Sequence, residues 1–149
     1  MAQESKIEEL LAPYGAFITY VPLRTEVPFR DYVHIPETSV AFEIAPRASL
    51  DPAEEARKAI AAIGDRKAAI LIPGRSFDAS GTRHGQGGGW YDRFLALVPR
   101  TWLRIGFCYE RQFSTTPLVR ESWDQEMDAV CVVRPQGLTV ITPSASMAL

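Results

Sequence analysis

Apolar residues recur along this chain at two spacings, and the switches between them mark out its elements. Ile7, Leu10 and Leu11 stand three and four apart, which predicts a short amphipathic helix over residues 3–12, ended by Pro13 and Gly15. Ala16 to Val21 (AFITYV) then reads as a strand. RTEVPFRDYVHIPE is broken by Pro28 and Pro36, which can neither donate to a ladder nor continue a helix, so it is expected to be mostly loop. Val40, Phe42 and Ile44 alternate with small or polar residues, the pattern of a second strand.

The clearest helix follows. Asp51 is its N-cap, Pro52 its first position, Glu54 the return arm of a capping box and Gly64 the stop. Its expected apolar stripe is Ala53, Ala56, Ile60 and Ile63. AAILIP, residues 68–73, is a continuous apolar run, as in a parallel strand covered on both faces. Tyr91, Phe94, Leu95 and Val98 mark one face of a helix ended by Pro99. TWLRIGFCY is another buried strand, STTPLVRESWDQEMD a polar connection, and DAVCVV and LTVIT supply two more strands. The alternation of strand and helix predicts an α/β fold: a layered, mainly parallel sheet flanked by helices, with ligands at the carboxyl edge of its strands.

Composition narrows this reading. A chain of 149 residues, 46% apolar, is the size of one domain, so a single domain over 1–149 is expected. The formal charge of −2, with no basic run, gives no reason to expect nucleic acid. Cys108 and Cys131 lie in apolar surroundings (IGFCY, AVCVV) without partners at metal or redox spacing, and read as buried, inert thiols. The start, MAQESKIEELLAPYG, is polar and acidic, and no stretch approaches membrane-spanning length, so a soluble cytoplasmic protein with no membrane partner is expected.

The candidate chemistry lies in GTRHGQGGGWYDRFL, residues 81–95, where five glycines precede a helix opening on Trp90, Tyr91, Asp92 and Arg93. Glycine-freed amides and a helix N-terminus suit a phosphate, and Arg83 and Arg93 would add charged donors. The stretch is neither a Walker A loop nor a dinucleotide fingerprint in its βαβ setting. On physics alone, a phosphate cradle and a flexible surface loop are equally good readings. Asp92 is either a first-turn acid complementing the helix dipole or, beside a phosphate, a Mg²⁺ ligand. Asp124 and Asp128 offer the second carboxylate; otherwise they are solvated loop charge.

PGRSFDASGTRHGQGGGWYDRFL, IGFCYERQF and PLVRESWDQEMDAV resemble the carboxyl-terminal half of the 5-formyltetrahydrofolate cyclo-ligase family, also called 5,10-methenyltetrahydrofolate synthetases, over roughly residues 68–133. YVPLRTEV at 20–27 resembles that family's upstream segment ending in an acidic EV pair. The resemblance implies a fold akin to the sugar-isomerase and coenzyme-A-transferase group and a ligase dependent on ATP and Mg²⁺. In that reaction the formyl oxygen of 5-formyltetrahydrofolate attacks the γ-phosphate, N10 closes the iminophosphate, and phosphate leaves. It further implies that Arg83, Gly85, Gly87, Gly89 and Tyr91 surround the nucleotide phosphates, with Arg83 and Tyr91 catalytic. Asp92 and Asp124 would hold Mg²⁺. Gln86, Gly88 and Trp90 would meet both nucleotide and folate, and Glu26 would contact the pterin. Trp90 and Tyr91 also have a plain reading as helix-face packing, and Glu26 as a surface residue beside Arg24.

The chain departs from the family pattern in places. Members begin with a KxxxR segment that contacts ATP, whereas Met1 to Leu11 carries Lys6 without an arginine. Gln86 replaces a residue often basic or aromatic, Gly88 stands where many members have lysine, and Trp123 where a histidine is usual. His84, in place of an apolar residue, is either a further phosphate donor or, as expected, a solvent-facing loop residue, and His34 is expected to be structural. Beside the ligase, the alternatives are a non-catalytic or regulatory nucleotide- or folate-binding paralogue, and an enzyme of this fold acting on another phosphorylated small molecule. Oligomerisation is left open.

Overall fold

Six apolar runs become the strands of one sheet. The computed structural model of the protein describes residues 2–45, 49–85 and 89–143; Gln86, Gly87 and Gly88 lie outside the described residues. The elements are α1 (Ala2–Leu11), β1 (Ala16–Tyr20), β2 (Val40–Ile44), α2 (Pro52–Ile63), β3 (Ala68–Pro73), β4 (Ser76–Asp78), β5 (Arg83–His84), α3 (Trp90–Leu95), β6 (Leu103–Tyr109), β7 (Phe113–Ser114), β8 (Ala129–Arg134) and β9 (Gly137–Ile141). The main sheet runs β2-β1-β3-β6-β8-β9. Every neighbouring pair is parallel except β8 with the edge strand β9.

Both faces of the sheet are covered, as the unbroken apolar runs demand. Ala68, Ile70 and Ile72 of β3 face the layer of α2 and α3, packing with Ala56, Ala59, Ile63, Phe94 and Leu95. Ala69 and Leu71 face the other way, into a cluster closed by Ile7 and Leu11 of α1 and by Val27, Phe29 and Val33 of the proline-interrupted segment. That segment is loop apart from a 3₁₀ turn at Phe29–Asp31.

Helix α2 starts as its caps dictate, with the Asp51 carboxylate accepting the Glu54 N–H at 3.3 Å, and stops at Gly64 with φ of +62°. Its buried stripe is rotated from the expected one. Ala59 is fully buried whereas Ile60 is 40% exposed and Ala53 only half-buried. The small Ala56 and Ala59 bring the helix close to its neighbours, and 3.6-residue periodicity then turns position 60 outward. Helix α3 is shorter than its apolar spacing predicts: it ends at Leu95, and Val98 is buried from the turn beyond it.

One feature has no counterpart in the sequence pattern. Within and after the segment linking β3 to α3 lies a second sheet of order β5-β4-β7. Asp78 ties its turn together: Oδ1 accepts the N–H groups of Ser80 and Thr82, both at 3.0 Å, and the Ser80 hydroxyl, while Oδ2 accepts the Leu118 N–H at 2.7 Å. Part of the supposed glycine loop is thereby held as ordered backbone.

Strand order fixes where loops diverge. From β1 the chain moves outward to β2; from β3 it moves the opposite way to β6. The carboxyl ends of β1 and β3 therefore flank a topological switch point, where open α/β sheets leave a crevice. The segment bearing Glu26 leaves β1 there, and the glycine stretch leaves β3. Among the described residues, no helix is long and apolar enough to cross a membrane. Cys108 and Cys131 are both free and buried. Burial pushes the Cys108 thiol up to about 12 and raises that of Cys131 as well.

Candidate active site

A cleft of about 350 Å³ opens between the glycine stretch and the connection that precedes β8. One wall is built from Arg83, His84, Gly85, Gly89, Trp90, Tyr91 and Asp92, the other from Val119, Glu121, Trp123 and Asp124.

Arg83 is only 6% exposed. Its Nε donates to the Pro73 carbonyl at 2.7 Å, and its guanidinium carbon lies 5.0 Å from the centre of the buried Tyr91 ring. A methyl group at Gly85 would stand 2.8 Å from Nη2 of Arg83, so residue 85 is bare because an internal arginine occupies the space a side chain would take. Gly89 is bare for another reason. Its φ of +63° is left-handed and turns the chain into α3.

Trp90 is held from both sides. Its indole N–H donates to the Leu50 carbonyl at 3.0 Å, and its ring stacks on Phe94 with centroids 5.4 Å apart. Tyr91 is 1% exposed and packs edge-on against both Trp90 and Phe94. The packing reading thus describes these rings, although both also border the cleft. Arg93 points away: it is exposed on α3, with its Nε 3.4 Å from the Gly89 carbonyl.

The two aspartates meet across the cleft. Asp92, in the first turn of α3, accepts the Gln125 backbone N–H on Oδ1 at 3.0 Å; Asp124 accepts the Glu121 N–H on Oδ2 at 2.8 Å. Burial holds the Asp92 carboxyl above the usual range, against the lowering effects of the Gln125 N–H and Arg83, and the adjacent Asp124 raises it further. Asp128 belongs to a different arrangement, a two-pronged pair with Arg100 at 3.1 and 3.3 Å.

Among the described residues no group of three or more His, Cys, Asp or Glu is gathered that could hold a metal alone. Two neighbouring carboxylates suit a hard divalent cation whose remaining ligands are water and substrate oxygens, the usual coordination of Mg²⁺. The donor set therefore fits Mg²⁺ bound together with a phosphate.

Glu26 is buried, 3% exposed, and Oε1 accepts the Leu23 N–H at 3.0 Å, so the surface reading beside Arg24 is corrected. It lies beyond the cleft walls, in the segment on the β1 side of the switch point. The Tyr20 hydroxyl donates to the Val27 carbonyl at 2.7 Å and is raised well above its usual range by burial, with Tyr91 and Glu26 close enough to add to the effect. Gln112 fastens the same segment, accepting the Tyr109 N–H at 2.8 Å and donating to the Thr25 carbonyl at 3.3 Å. His84 is half-buried, and its Nε2 donates to the Val119 carbonyl at 2.7 Å, joining the two walls of the cleft.

Sequence reasoning passed over Asp78, Arg104 and Arg120. Arg120 donates to Thr82 at 2.7 Å and to the Ser80 carbonyl at 3.1 Å, fixing the far wall to the small sheet. A larger cavity of about 710 Å³ lies between α1 and residues 30–36, bordered by Tyr14, Arg30 and His34. It contains none of the residues expected to bind nucleotide, folate or metal.

The family model described as the 5-formyltetrahydrofolate cyclo-ligase family matches residues 20–133, from the end of β1 to β8. The chain belongs to the 5-formyltetrahydrofolate cyclo-ligase family. Among curated proteins it is 33% identical to a 5-formyltetrahydrofolate cyclo-ligase of Mycoplasma genitalium over 61 residues, 41% of this chain and 36% of that protein. The match thus spans about a third of that relative's length. Among solved structures it resembles a 5,10-methenyltetrahydrofolate synthetase from Mycoplasma pneumoniae with a TM-score of 0.57 and 20% identity, covering 86% of this chain and 80% of that one. That likeness establishes a shared cyclo-ligase fold, in agreement with the α/β sheet expected from the sequence. The family match includes Glu26, the whole glycine stretch and Asp124.

Proposed function

We propose that this protein converts 5-formyltetrahydrofolate to 5,10-methenyltetrahydrofolate, using ATP and Mg²⁺ and releasing ADP and phosphate. The observation carrying the proposal is the placement of Asp92 and Asp124 together across a cleft that also holds Arg83, beside the switch point of a cyclo-ligase sheet.

In this reading the nucleotide phosphates lie along the backbone of Gly85 and Gly89, with Gln86, Gly87 and Gly88 completing the stretch. Asp92 and Asp124 hold the metal, each oriented by a backbone N–H. When bound, Mg²⁺ draws negative charge from the phosphate oxygens and favours in-line transfer. Arg83 is fixed before substrate arrives, by the Pro73 carbonyl and the Tyr91 ring, so it meets developing charge without reorganising. Tyr91 supplies that platform. Trp90 offers a flat edge on the cleft wall, and Glu26, with Gln86 and Gly88, meets the folate. Phosphoryl transfer needs no nucleophilic side chain, and none of the cleft residues has to act as one. Two unbridged, buried cysteines suit a cytoplasmic enzyme.

The test is the growth of methenyltetrahydrofolate absorbance when purified protein meets 5-formyltetrahydrofolate, ATP and Mg²⁺, with ATP omitted as control. ATP-dependent growth supports a ligase. Absence of product with nucleotide still bound supports the binding-only paralogue.

A further inference from the structure

Arg104 is the one charged residue in the buried strand β6, and it is 1% exposed. Its Nη1 donates to the Gln125 side-chain oxygen at 2.8 Å, and its Nη2 to the Leu95 carbonyl at 2.9 Å. Leu95 ends α3, the helix that carries Asp92. Gln125 follows Asp124, and its own backbone N–H is the group bonded to Asp92. The Arg104 main chain holds the same connection further on, donating to the Asp128 carboxylate at 2.9 Å and accepting the Asp128 N–H at 2.7 Å.

This position is costly. Burial pushes the guanidinium down to about 10, Arg100 adds to that effect, and among the described residues Nε has no hydrogen-bond partner. An apolar side chain would fill a core strand with less penalty. Only a forked donor, however, can grip the end of one wall and the side chain of the other simultaneously.

We propose that Arg104, acting through Gln125, is a positioning residue that sets the separation of Asp92 and Asp124 and so the affinity of the site for its divalent cation. The inference rests on the assignment of those two aspartates to Mg²⁺. With the fork in place, Gln125 presents its N–H to Asp92 and holds Asp124 alongside. Without it, the bond from the Gln125 N–H to Asp92 loses its brace, and the carboxylates separate. Outer partners of this kind typically change metal affinity by about 10- to 100-fold.

The experiment measures Mn²⁺ binding in the presence of ADP, by loss of the free-ion paramagnetic resonance signal, in wild type, Gln125→Ala, Gln125→Glu, Arg104→Lys and Asp92→Asn. Gln125 is half-buried, so its variants keep the fold even where changes at Arg104 do not. The expected result is weakening of about tenfold or more in Gln125→Ala and Arg104→Lys. Gln125→Glu, which keeps an acceptor for the fork, should bind as wild type does, and both Gln125 variants should remain folded by circular dichroism. Loss of binding in Asp92→Asn with unchanged binding in Gln125→Ala would overturn the positioning role alone. Unchanged binding in Asp92→Asn would overturn the metal assignment and this inference with it.

Discussion

The guanidinium of Arg83 sits 5.0 Å above the Tyr91 ring while its Nε is bonded to the Pro73 carbonyl at 2.7 Å, so strand end, arginine and helix ring form one rigid unit. Arg83→Lys removes the planar fork but keeps a charge. It should lower kcat on the order of 100-fold, as the loss of a fixed donor to developing charge does, with little change in circular dichroism. Tyr91→Phe preserves the ring and should fall far less. Equal losses in the two variants would mean that the arginine acts through something other than its fork.

Gly85 faces that same guanidinium. In Gly85→Ala, a methyl group 2.8 Å from Nη2 must displace Arg83 or the loop. Small misplacements of a catalytic group can cost about 100-fold, while overpacking costs about 1–3 kcal/mol. The expected outcome is a folded protein of slightly lower melting temperature whose kcat has collapsed; wild-type kcat would show that Arg83 need not be held where it is.

Asp78 governs the small sheet. Burial alone would raise its carboxyl, but the N–H of Leu118, with Ser80 and Thr82, outweighs this and holds it below the usual carboxylate range. Its stabilising contribution is therefore complete above the ordinary carboxylate value of about 3.9 and is lost as pH falls through the lower folded value. Asp78→Asn should cost about 1–3 kcal/mol at neutral pH, and the difference between variant and wild type should narrow in acid. Urea melts at neutral and acidic pH measure both; a difference that widens in acid would refute the assignment.

The thiols yield a prediction about accessibility. Cys131 is fully buried and raised by that burial, and Cys108 is pushed up to about 12, so neither forms thiolate near neutral pH. Ellman's reagent should label neither until the protein unfolds. Rapid labelling of the native protein would contradict the packing of β6 against β8.

The inner strands were readable because burial on both faces writes continuous apolar runs, the edge strand β2 because its apolar residues alternate, and the caps of α2 because Asp51, Pro52 and Gly64 each have a specific backbone use. The small sheet was not. Its strands are two or three residues long, and Asp78 looks like any turn acid until its four donors are seen. Ile60 was misassigned because hydrophobicity alone cannot choose between adjacent positions when close packing favours Ala59. At the site, the order of Arg83, Tyr91, Asp92 and Asp124 was visible as a motif, yet the reason Gly85 is bare, an arginine from its own chain, was not. Arg104 carried a signal that could have been used: a lone charge within LRIGFCY either pairs or is excluded.

A crystal structure with a non-hydrolysable ATP analogue and Mg²⁺ decides whether Asp92 and Asp124 share a metal. The metal is expected at about 2.1 Å from oxygens of both, with phosphates against the backbone from Gly85 to Gly89. Nucleotide seated instead in the cavity between α1 and residues 30–36, with the two carboxylates apart and no metal between them, would contradict it.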